Sequence, residues 1–508
     1  MFERRIMSKR AAKNNSNIGV GQPALQIVFP FFTEEETRHT AGETEVNEPP
    51  ASTPSSSIRH KPERKRKWYS LIDKVYALPN LWEAWIRVKT NRGAPGIDKM
   101  TIARFNEDAY ARIEQLASDL KQRTYRPQPV RRKLIPKSGG GQRPLGIPTV
   151  RDRIVQQALL QILEPIFEAK FSDRSHGFRK ERGCSTALSV VDRAVKHGYT
   201  WVVDADIRAF FDTVDHEKLL KAVGEEVADG SVLNLITHIL KAGLVEPSVG
   251  EVEPTELGTP QGGPLSPLLA NIYLHAFDTQ IAATRPGQCG LVRYADDFVL
   301  FAKSEEAARE ALSFAREILE GELSLTMHPE KTRVVSVAEG FEFLGFHYFR
   351  DPRTNALVKE VRRKSVLRFR EVIRSRTPRL KTQRRVKAKH VTLPRLRSNQ
   401  RLGDIIASVN RQLRGWHGYF HAVWSRYPAS PFCNFDGYVR GRIRSSITGR
   451  IGHGWWDVRL SNRVLAELGL VSLDTLQSKR YAGSSATPAR KGKPGGEPYA
   501  GNPHVRFG

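Results

Sequence analysis

Cysteine is scarce in this sequence, and long apolar runs are missing altogether. The 508 residues contain only Cys184, Cys289 and Cys433, which stand too far apart for a CxxC zinc pair or a disulfide framework. Such sparse cysteine usage is typical of a reducing cytoplasm. No uncharged apolar stretch is long enough for a signal peptide or a transmembrane helix. We therefore expect a cytoplasmic protein, without a membrane partner, that works in solution or on nucleic acid.

Acidic residues are too few to balance the basic ones. The chain has 81 Lys plus Arg against 54 Asp plus Glu, which gives a formal net charge of +27. Dispersed cations neutralise phosphates and release their counterions, so this excess favours a polyanionic partner over a merely soluble basic surface. The length and the 39% apolar content allow two or three domains with cores of their own.

Composition separates a central region from two tails. Residues 1–67 lack periodicity and end in a basic run, which predicts a flexible arm. Residues 476–508 are rich in Gly, Ser, Pro and Lys and predict a disordered basic tail. In the region between the two tails, predicted strands alternate with predicted helices, which indicates a sheet with helices packed on it. The predicted elements are a helical segment through Leu71 to Trp85, a helix after Arg151 capped by Asp152, a strand from Thr200 to Ile207, and helices that start at Asp215, Ser266 and Ser304.

Acidic residues cluster at one predicted hairpin. Two apolar segments, Leu291 to Tyr294 and Phe298 to Ala302, are joined by Ala-Asp-Asp and predict a hairpin with Asp296 and Asp297 at its tip. Asp204 and Asp206 alternate onto one face of the earlier strand. Two Mg²⁺ ions held by clustered carboxylates can activate a primer 3′ hydroxyl and neutralise a leaving pyrophosphate. The pattern therefore indicates nucleotidyl transfer.

Two further sequence segments, taken together with the acidic hairpin and strand, make the prediction more specific than any one of these motifs alone. The segment from Thr259 to Pro267 carries glycines that permit close backbone approach to a ligand. The segment from Lys133 to Pro148 combines cations with a glycine tip, as a hairpin that grips a triphosphate would.

In this order the blocks resemble the motifs of group II intron reverse transcriptases, also called intron-encoded maturases. The resemblance covers most of residues 68–350 and continues more loosely through 414–420 and 465–473. It implies an α+β right-hand polymerase, with fingers and palm of antiparallel sheet and helices in 68–350. A helical, basic thumb or maturase region in 351–475 would follow.

The resemblance also implies residue roles. Asp206, Asp296 and Asp297 would be catalytic and would hold two Mg²⁺ ions with the backbone carbonyl of Ile207, while Asp204 and Asp212 would be structural neighbours. The residues expected to contact the incoming dNTP or its pyrophosphate are Arg143, Lys137, Phe211 as an aromatic sugar gate, Gln261 and Lys331.

Two regions are expected to hold nucleic acid. Phe343, Leu344 and Gly345 resemble a primer grip. Residues 361–400 carry 15 Lys or Arg and a single acid, Glu371, at roughly helical spacing. Such a face can follow the phosphates of an A-form duplex without reading its sequence. The candidate RNA contacts there are Arg384, Arg385, Lys387 and Lys389.

The end of the chain departs from the fullest family pattern. It has no paired cysteines and no His-Asn-His segment, so we expect no endonuclease domain and priming from a nick or a nascent strand. The expected partners are group II intron RNA, an RNA template, a DNA primer or target, and dNTPs. Two alternatives stay open: a reverse transcriptase of the defence, retron-like or domesticated kind, and an RNA-binding splicing factor with a vestigial polymerase.

Overall fold

The computed structural model describes residues 67–136, 142–246, 252–260, 262–284, 289–378, 402–423, 432–448 and 460–484. The helices are α1 (Ile72–Tyr76), α2 (Leu78–Thr90), α3 (Ile102–Glu107), α4 (Ala109–Lys121), α5 (Val150–Glu168), α6 (Cys184–Lys196), α7 (Phe210–Thr213), α8 (His216–Gly224), α9 (Gly230–Leu240), α10 (Ser266–Thr284), α11 (Glu305–Arg316), α12 (Arg363–Arg376), α13 (Leu402–Phe420), α14 (Cys433–Thr448), α15 (Asn462–Glu467) and α16 (Leu473–Ser484). A π-helical turn, Glu317–Glu322, continues α11.

The strands are short and mostly antiparallel. They are β1 (Val130–Pro136), β2 (Gln142–Ile147), β3 (Trp201–Asp206), β4 (Leu244–Val245), β5 (Val252–Glu253), β6 (Cys289–Tyr294), β7 (Asp297–Ala302), β8 (Arg333–Ser336), β9 (Phe341–Phe343), β10 (Phe346–Arg350) and β11 (Leu357–Val361). The mixture of helices and sheets agrees with the predicted α+β class.

The chain divides into two compact units. Of the described residues, the first unit contains those up to 132, in 146–199 and in 207–327, and the second contains those in 133–145, in 200–206 and from 328 onward. The domain limits predicted from the sequence remain a prediction. The helix α16 crosses the predicted boundary at 475, because it continues to Ser484.

The first unit is built around two long helices. The helix α5 packs against α2, and its residues from Asp152 to Leu159 are all buried. The helix α10 packs against β6, and β6 and β7 form an antiparallel hairpin whose central residues are buried. In this unit β1 pairs in parallel with β4, which was not predicted, and β4 pairs antiparallel with β5.

The second unit combines small antiparallel pairings with a helical, aromatic core. Strand β3 pairs with β8, and β9, β10 and β11 form a three-stranded sheet with β10 in the centre. The helices α12, α13 and α14 meet around Trp416, whose ring lies 4.6 Å from that of Phe369 and 4.8 Å from that of Phe435.

One predicted helix cap and one predicted helical segment differ from the structure. Thr149, not Asp152, caps α5, since its hydroxyl accepts from the Asp152 amide at 3.1 Å. Asp152 is buried and accepts instead from the hydroxyl of Tyr125 at 2.6 Å. The helical segment predicted through Leu71 to Trp85 is two helices, because Ala77 between them has a non-helical ψ of 127°.

Other predicted starts are confirmed. Asp215 caps α8 and Ser304 caps α11 through side-chain oxygens that accept backbone amides. Ser266 is the first residue of α10, and its hydroxyl donates to the Pro260 carbonyl at 2.7 Å. Among the helices in the described ranges, none is long and apolar enough to cross a membrane.

Asp229 joins the start of the described chain to α9. One carboxylate oxygen accepts the amides of Leu71 and Ile72 at 2.7 and 2.9 Å, and the other accepts those of Ser231 and Val232 at 2.9 and 3.3 Å. Burial alone would raise the pKa of Asp229, but these hydrogen bonds outweigh it and lower the pKa. Asp229 therefore stabilises the folded state more when its carboxylate is charged.

We expect Asp229→Ala to lower the free energy of unfolding by roughly 1–3 kcal/mol, because it leaves backbone donors unpaired. The loss should be full above the unfolded pKa of about 4 and should disappear as the pH falls through the lower folded value. Thermal melts of both proteins between pH 3 and pH 7 measure this. Thr101→Ala is the control, since Thr101 caps α3 with one hydrogen bond; an equal loss there would contradict the bridging role of Asp229.

Candidate functional site

The hairpin of the first unit has its acids at the tip, as predicted. Strands β6 and β7 pair from Cys289 with Ala302 to Tyr294 with Asp297, so only Ala295 and Asp296 form the turn. Ala295 is left-handed, with φ of 59°. Asp296 is half-buried and Asp297 is exposed, whereas the following residues of β7 are buried. Two adjacent carboxylates are thus presented at the end of an apolar ribbon.

A buried arginine holds this turn from behind. Arg293 has no exposed surface, and its guanidinium pairs with Asp278 of α10, which is also fully buried, through contacts of 2.7 and 2.5 Å. Its remaining nitrogen, Nη1, donates to the Ala295 carbonyl at 2.9 Å and to Asn271 Oδ1 at 3.1 Å. The backbone of the turn is therefore tied to α10 through one side chain.

A second chain segment packs against the same turn. Arg174 and His176 exchange backbone hydrogen bonds of 2.9 Å with Arg293, so the segment runs along β6 like an extra strand. Asn271 donates to the Gly177 carbonyl at 2.9 Å. A Cβ atom at Gly177 would lie 2.3 Å from the Ala295 nitrogen, so no larger residue fits there without movement of the turn.

Tyr294 precedes the turn and stays neutral at physiological pH. Its hydrogen bond with the Cys184 thiol, together with partial burial, raises the pKa of Tyr294 to about 12. Cys184 is the first residue of α6. The tyrosine therefore adds no charge beside the two aspartates.

In the second unit, the end of β3 carries the other predicted acids. Asp206 forms an ion pair with Lys331, and its carbonyl accepts from the His328 amide at 2.8 Å. Asp204 pairs with Arg333 at 3.2 Å. Burial raises the pKa of Asp204, and Arg333 acts against that rise. Asp204 is thus ion-paired with Arg333, and Asp206 with Lys331.

Phe211 lies beside the segment that leads to Gln261. It is half-buried, while its neighbour Phe210 is in the core at 2% exposure, and the two rings meet edge-on at 5.2 Å. The Phe211 carbonyl accepts from the Thr259 amide at 2.7 Å. Gly258 allows this approach, with φ of 88° and no room for a Cβ atom. The core position belongs to Phe210, and Phe211 keeps part of its ring accessible.

The residues predicted as a primer grip form a tight turn. Phe343 ends β9 and pairs with Phe346 of β10, and the two residues between them, Leu344 and Gly345, are left-handed with φ of 45° and 84°. Such a pair of positive φ values is typical of two-residue hairpins. The Tyr419 hydroxyl of α13 donates to the Leu344 carbonyl at 2.8 Å, which braces the turn.

The remaining predicted residues are placed less fully. Ile207 is buried and forms a bridge with Met327, and Arg143 lies on β2. Lys137, Gln261 and the basic residues Arg384, Arg385, Lys387 and Lys389 lie outside the described residues.

Three buried polar residues of the site were not predicted from the sequence. Asn271 and Asp278 are seven residues apart on the apolar helix α10, which puts them on one face, and Arg293 interrupts an apolar strand. The sequence did contain a signal for them, because polar residues inside otherwise apolar elements indicate buried groups that need polar partners.

The donor set suits a hard divalent cation. Asp206, Asp296 and Asp297 supply carboxylate oxygens, the ligands that Mg²⁺ prefers, and each is at least partly open to solvent. Within the described ranges, no group of three or more His, Cys, Asp or Glu side chains is placed to hold a metal ion. The three aspartates therefore suit Mg²⁺ by the chemistry of their oxygen atoms.

Comparison with known proteins assigns the class. The reverse transcriptase (RNA-dependent DNA polymerase) family profile matches residues 135–348, which contain the hairpin and β3. The group II intron maturase-specific domain matches residues 383–458. The described helices and antiparallel strands are of the right-hand polymerase class that the first match implies.

The chain belongs to the group II intron reverse transcriptase/maturase family. It is 36% identical to protein YkfC of Escherichia coli over 298 residues, which are 51% of this chain and 78% of that protein. It is 44% identical to the group II intron-encoded protein LtrA of Lactococcus lactis subsp. cremoris over 198 residues, 38% of this chain and only 32% of LtrA. A chain of a solved Cas6-RT-Cas1–Cas2 complex matches 50% of this chain and 27% of its own length at 25% identity, with a TM-score of 0.33 that is too low to define a shared fold.

The ion pair behind the hairpin generates a stability prediction. Arg293→Met leaves Asp278 buried without its main counter-charge and should lower the free energy of unfolding by about 3–5 kcal/mol. Adding Asp278→Leu removes that charge and should restore most of the stability. Chemical denaturation of the three proteins measures both changes. A double variant as unstable as the single one would show that packing, rather than the unpaired charge, dominates.

Proposed function

We propose that the chain is an RNA-directed DNA polymerase that copies a group II intron into DNA and assists the splicing of that intron. One observation carries the polymerase part of the proposal. Asp296 and Asp297 stand at the tip of a ribbon whose turn is fixed by a fully buried side chain, inside the segment that matches the reverse transcriptase family. A turn held this rigidly suits residues that must keep a set geometry.

The proposed chemistry is nucleotidyl transfer with two Mg²⁺ ions held by Asp206, Asp296, Asp297 and the Ile207 carbonyl. The ions would lower the pKa of the primer 3′ hydroxyl and neutralise charge on the leaving pyrophosphate. Lys331, which pairs with Asp206 in the structure, supplies a cation suited to protonating that pyrophosphate. The pairing keeps the ammonium at the proposed site before substrate arrives.

Four residues are proposed to contact the incoming dNTP. Arg143 and Lys137 are proposed to contact the triphosphate, and Gln261 to orient the nucleotide. Phe211 would exclude the ribose 2′ hydroxyl. The hydrogen bond from Thr259 to Phe211 supports this grouping, because it keeps the gate next to the segment that ends at Gln261.

The nucleic acid partners are proposed from the family and from charge. The turn of Phe343, Leu344 and Gly345 would support the primer end. The basic region with Arg384, Arg385, Lys387 and Lys389, together with the maturase-matching segment, would bind intron RNA. Retrohoming primed by a nick or a nascent strand completes the proposal.

The sugar gate is testable by itself. Phe211→Val removes the ring that would face C2′ of the incoming nucleotide, so incorporation of rNTPs relative to dNTPs should rise roughly tenfold or more. Single-nucleotide extension with each substrate measures the ratio. Phe211→Tyr keeps the ring and should keep discrimination close to that of the wild type. An unchanged ratio in an active Val variant would assign Phe211 to packing.

The central experiment separates polymerisation from splicing. Asp296→Asn combined with Asp297→Asn keeps the size of both side chains but removes two charges, so primer extension on an RNA template with dNTPs and Mg²⁺ should fall at least about 1000-fold. RNA binding and splicing assistance should survive, since the cations proposed for them are untouched. Primer extension, RNA binding and intron splicing are measured on one preparation.

The matched control is Glu305→Gln with Glu306→Gln, two neighbouring acids at the start of α11. This control should extend primers normally, and thermal melts should confirm folding of both double variants. Extension retained by the Asp296/Asp297 variant would refute the metal assignment. Wild-type protein that binds and splices the intron but never extends a primer would favour the splicing factor with a vestigial polymerase. Extension without any intron binding would favour a reverse transcriptase of the non-intron kind.

A further inference from the structure

Phe178 has a backbone conformation that a bulky residue rarely adopts. Its φ is 59°, in the left-handed region, where the Cβ atom of an L-residue crowds the backbone. Such conformations cost about 1–3 kcal/mol and persist where the surroundings impose them. A strained residue that packing does not explain points to a functional reason.

The surroundings fix Phe178 from both sides. The preceding Gly177 is held by Asn271 and lies against the Ala295 backbone, so it cannot move without the hairpin. The following Arg179 is buried, pairs with Glu168 at 2.9 Å, and donates to the carbonyls of Ser172 and Ser175 at 2.6 and 2.8 Å. The chain on each side of Phe178 is therefore anchored.

The ring itself is not part of the core. Residues 174–177 and 179 are all buried, and Phe178 alone among them is exposed, at 50%. Apolar burial cannot offset the strain, since half of the side chain remains in water. Phe178 follows Gly177, which lies against the backbone of the turn that carries Asp296, and the anchor on Asn271 is shared with Arg293. One buried network therefore ties the backbone next to Phe178 to the hairpin.

We propose that Phe178 is a nucleic-acid contact, a ring on which a base of the RNA template strand stacks next to the hairpin. The proposal rests on the polymerase function proposed above. Aromatic rings that stack bases accept every sequence, because each base has a π face. That property suits a polymerase, which must hold whatever template base comes next.

We assign the Phe178 ring to the template strand because the primer end and the incoming nucleotide are assigned to other residues. The primer end is assigned to Phe343, Leu344 and Gly345, and the incoming nucleotide to Phe211 and the residues near it. The net charge of +27 favours a nucleic acid over a protein as the partner of this exposed ring. A base from the primer strand is the competing source, and the experiment distinguishes the two.

The test measures affinity without catalysis. Full-length protein is titrated with a fluorescent RNA-template/DNA-primer duplex that has a single-stranded template overhang, in the absence of dNTPs, and the Kd is read from anisotropy. Phe178→Ala should weaken binding about tenfold, the usual scale of one lost stacking contact. Phe178→Trp should restore affinity. Phe178→Gly, which suits a positive φ, should bind as weakly as the alanine variant while melting at or above the wild-type temperature.

Tyr110→Ala is the matched control, because Tyr110 is an aromatic residue with 61% exposure on α4 and is assigned no role. It should leave the Kd unchanged. Duplexes with one abasic nucleotide, placed in turn along the template and the primer, identify the stacked base. A template abasic site at one position should weaken wild-type binding and leave Phe178→Ala unaffected.

Each other outcome counts against the proposal. Equal affinity of wild type, Phe178→Ala and Phe178→Gly would overturn it, as would sensitivity only to primer abasic sites, which would move the contact to the other strand. A loss of melting temperature in both small variants with unchanged Kd would mean that the ring is structural. Because binding is measured without dNTPs, a wild type that binds the duplex but cannot extend it would refute the proposed polymerase function and leave the binding result readable.

Discussion

The ion pair between Arg293 and Asp278 is the constraint on which the proposed catalytic hairpin depends. Two charges without any contact to solvent are costly to bury, and hydrophobic residues of similar volume are often as stable. What such residues could not supply is the third contact, from the guanidinium to the Ala295 carbonyl. The planar arginine fork binds a carboxylate and a carbonyl at once, so the long helix α10 and the turn that carries Asp296 are held in one geometry.

A similar arrangement holds the proposed primer grip in the second unit. Its turn consists of two left-handed residues, and one of them is Leu344, for which that conformation is uncommon. The Tyr419 hydroxyl binds the carbonyl at this strained position, and the ring of Tyr419 lies 6.0 Å from that of Phe346. The aromatic core of the helices therefore extends to the turn.

The sequence predicted local chemistry well and long-range contacts poorly. The hairpin, the acids at its tip and the caps Asp215 and Ser304 follow from residues close to one another in the chain. The wrong cap, Asp152, shows the limit, because Tyr125 competes for its carboxylate from 27 residues away and Thr149 offers an equally good hydroxyl. The partners of Arg293 and the parallel pairing of β1 with β4 join distant segments, and no local pattern encodes them.

Gly177 has a consequence for how this chain can vary. A single added carbon there would meet the Ala295 backbone at 2.3 Å, and the atoms it meets belong to the turn between the strands rather than to a flexible side chain. Every other residue type at this position would have to displace the turn, so Gly177 is constrained as tightly as a residue with a chemical role, although its contribution is the absence of an atom.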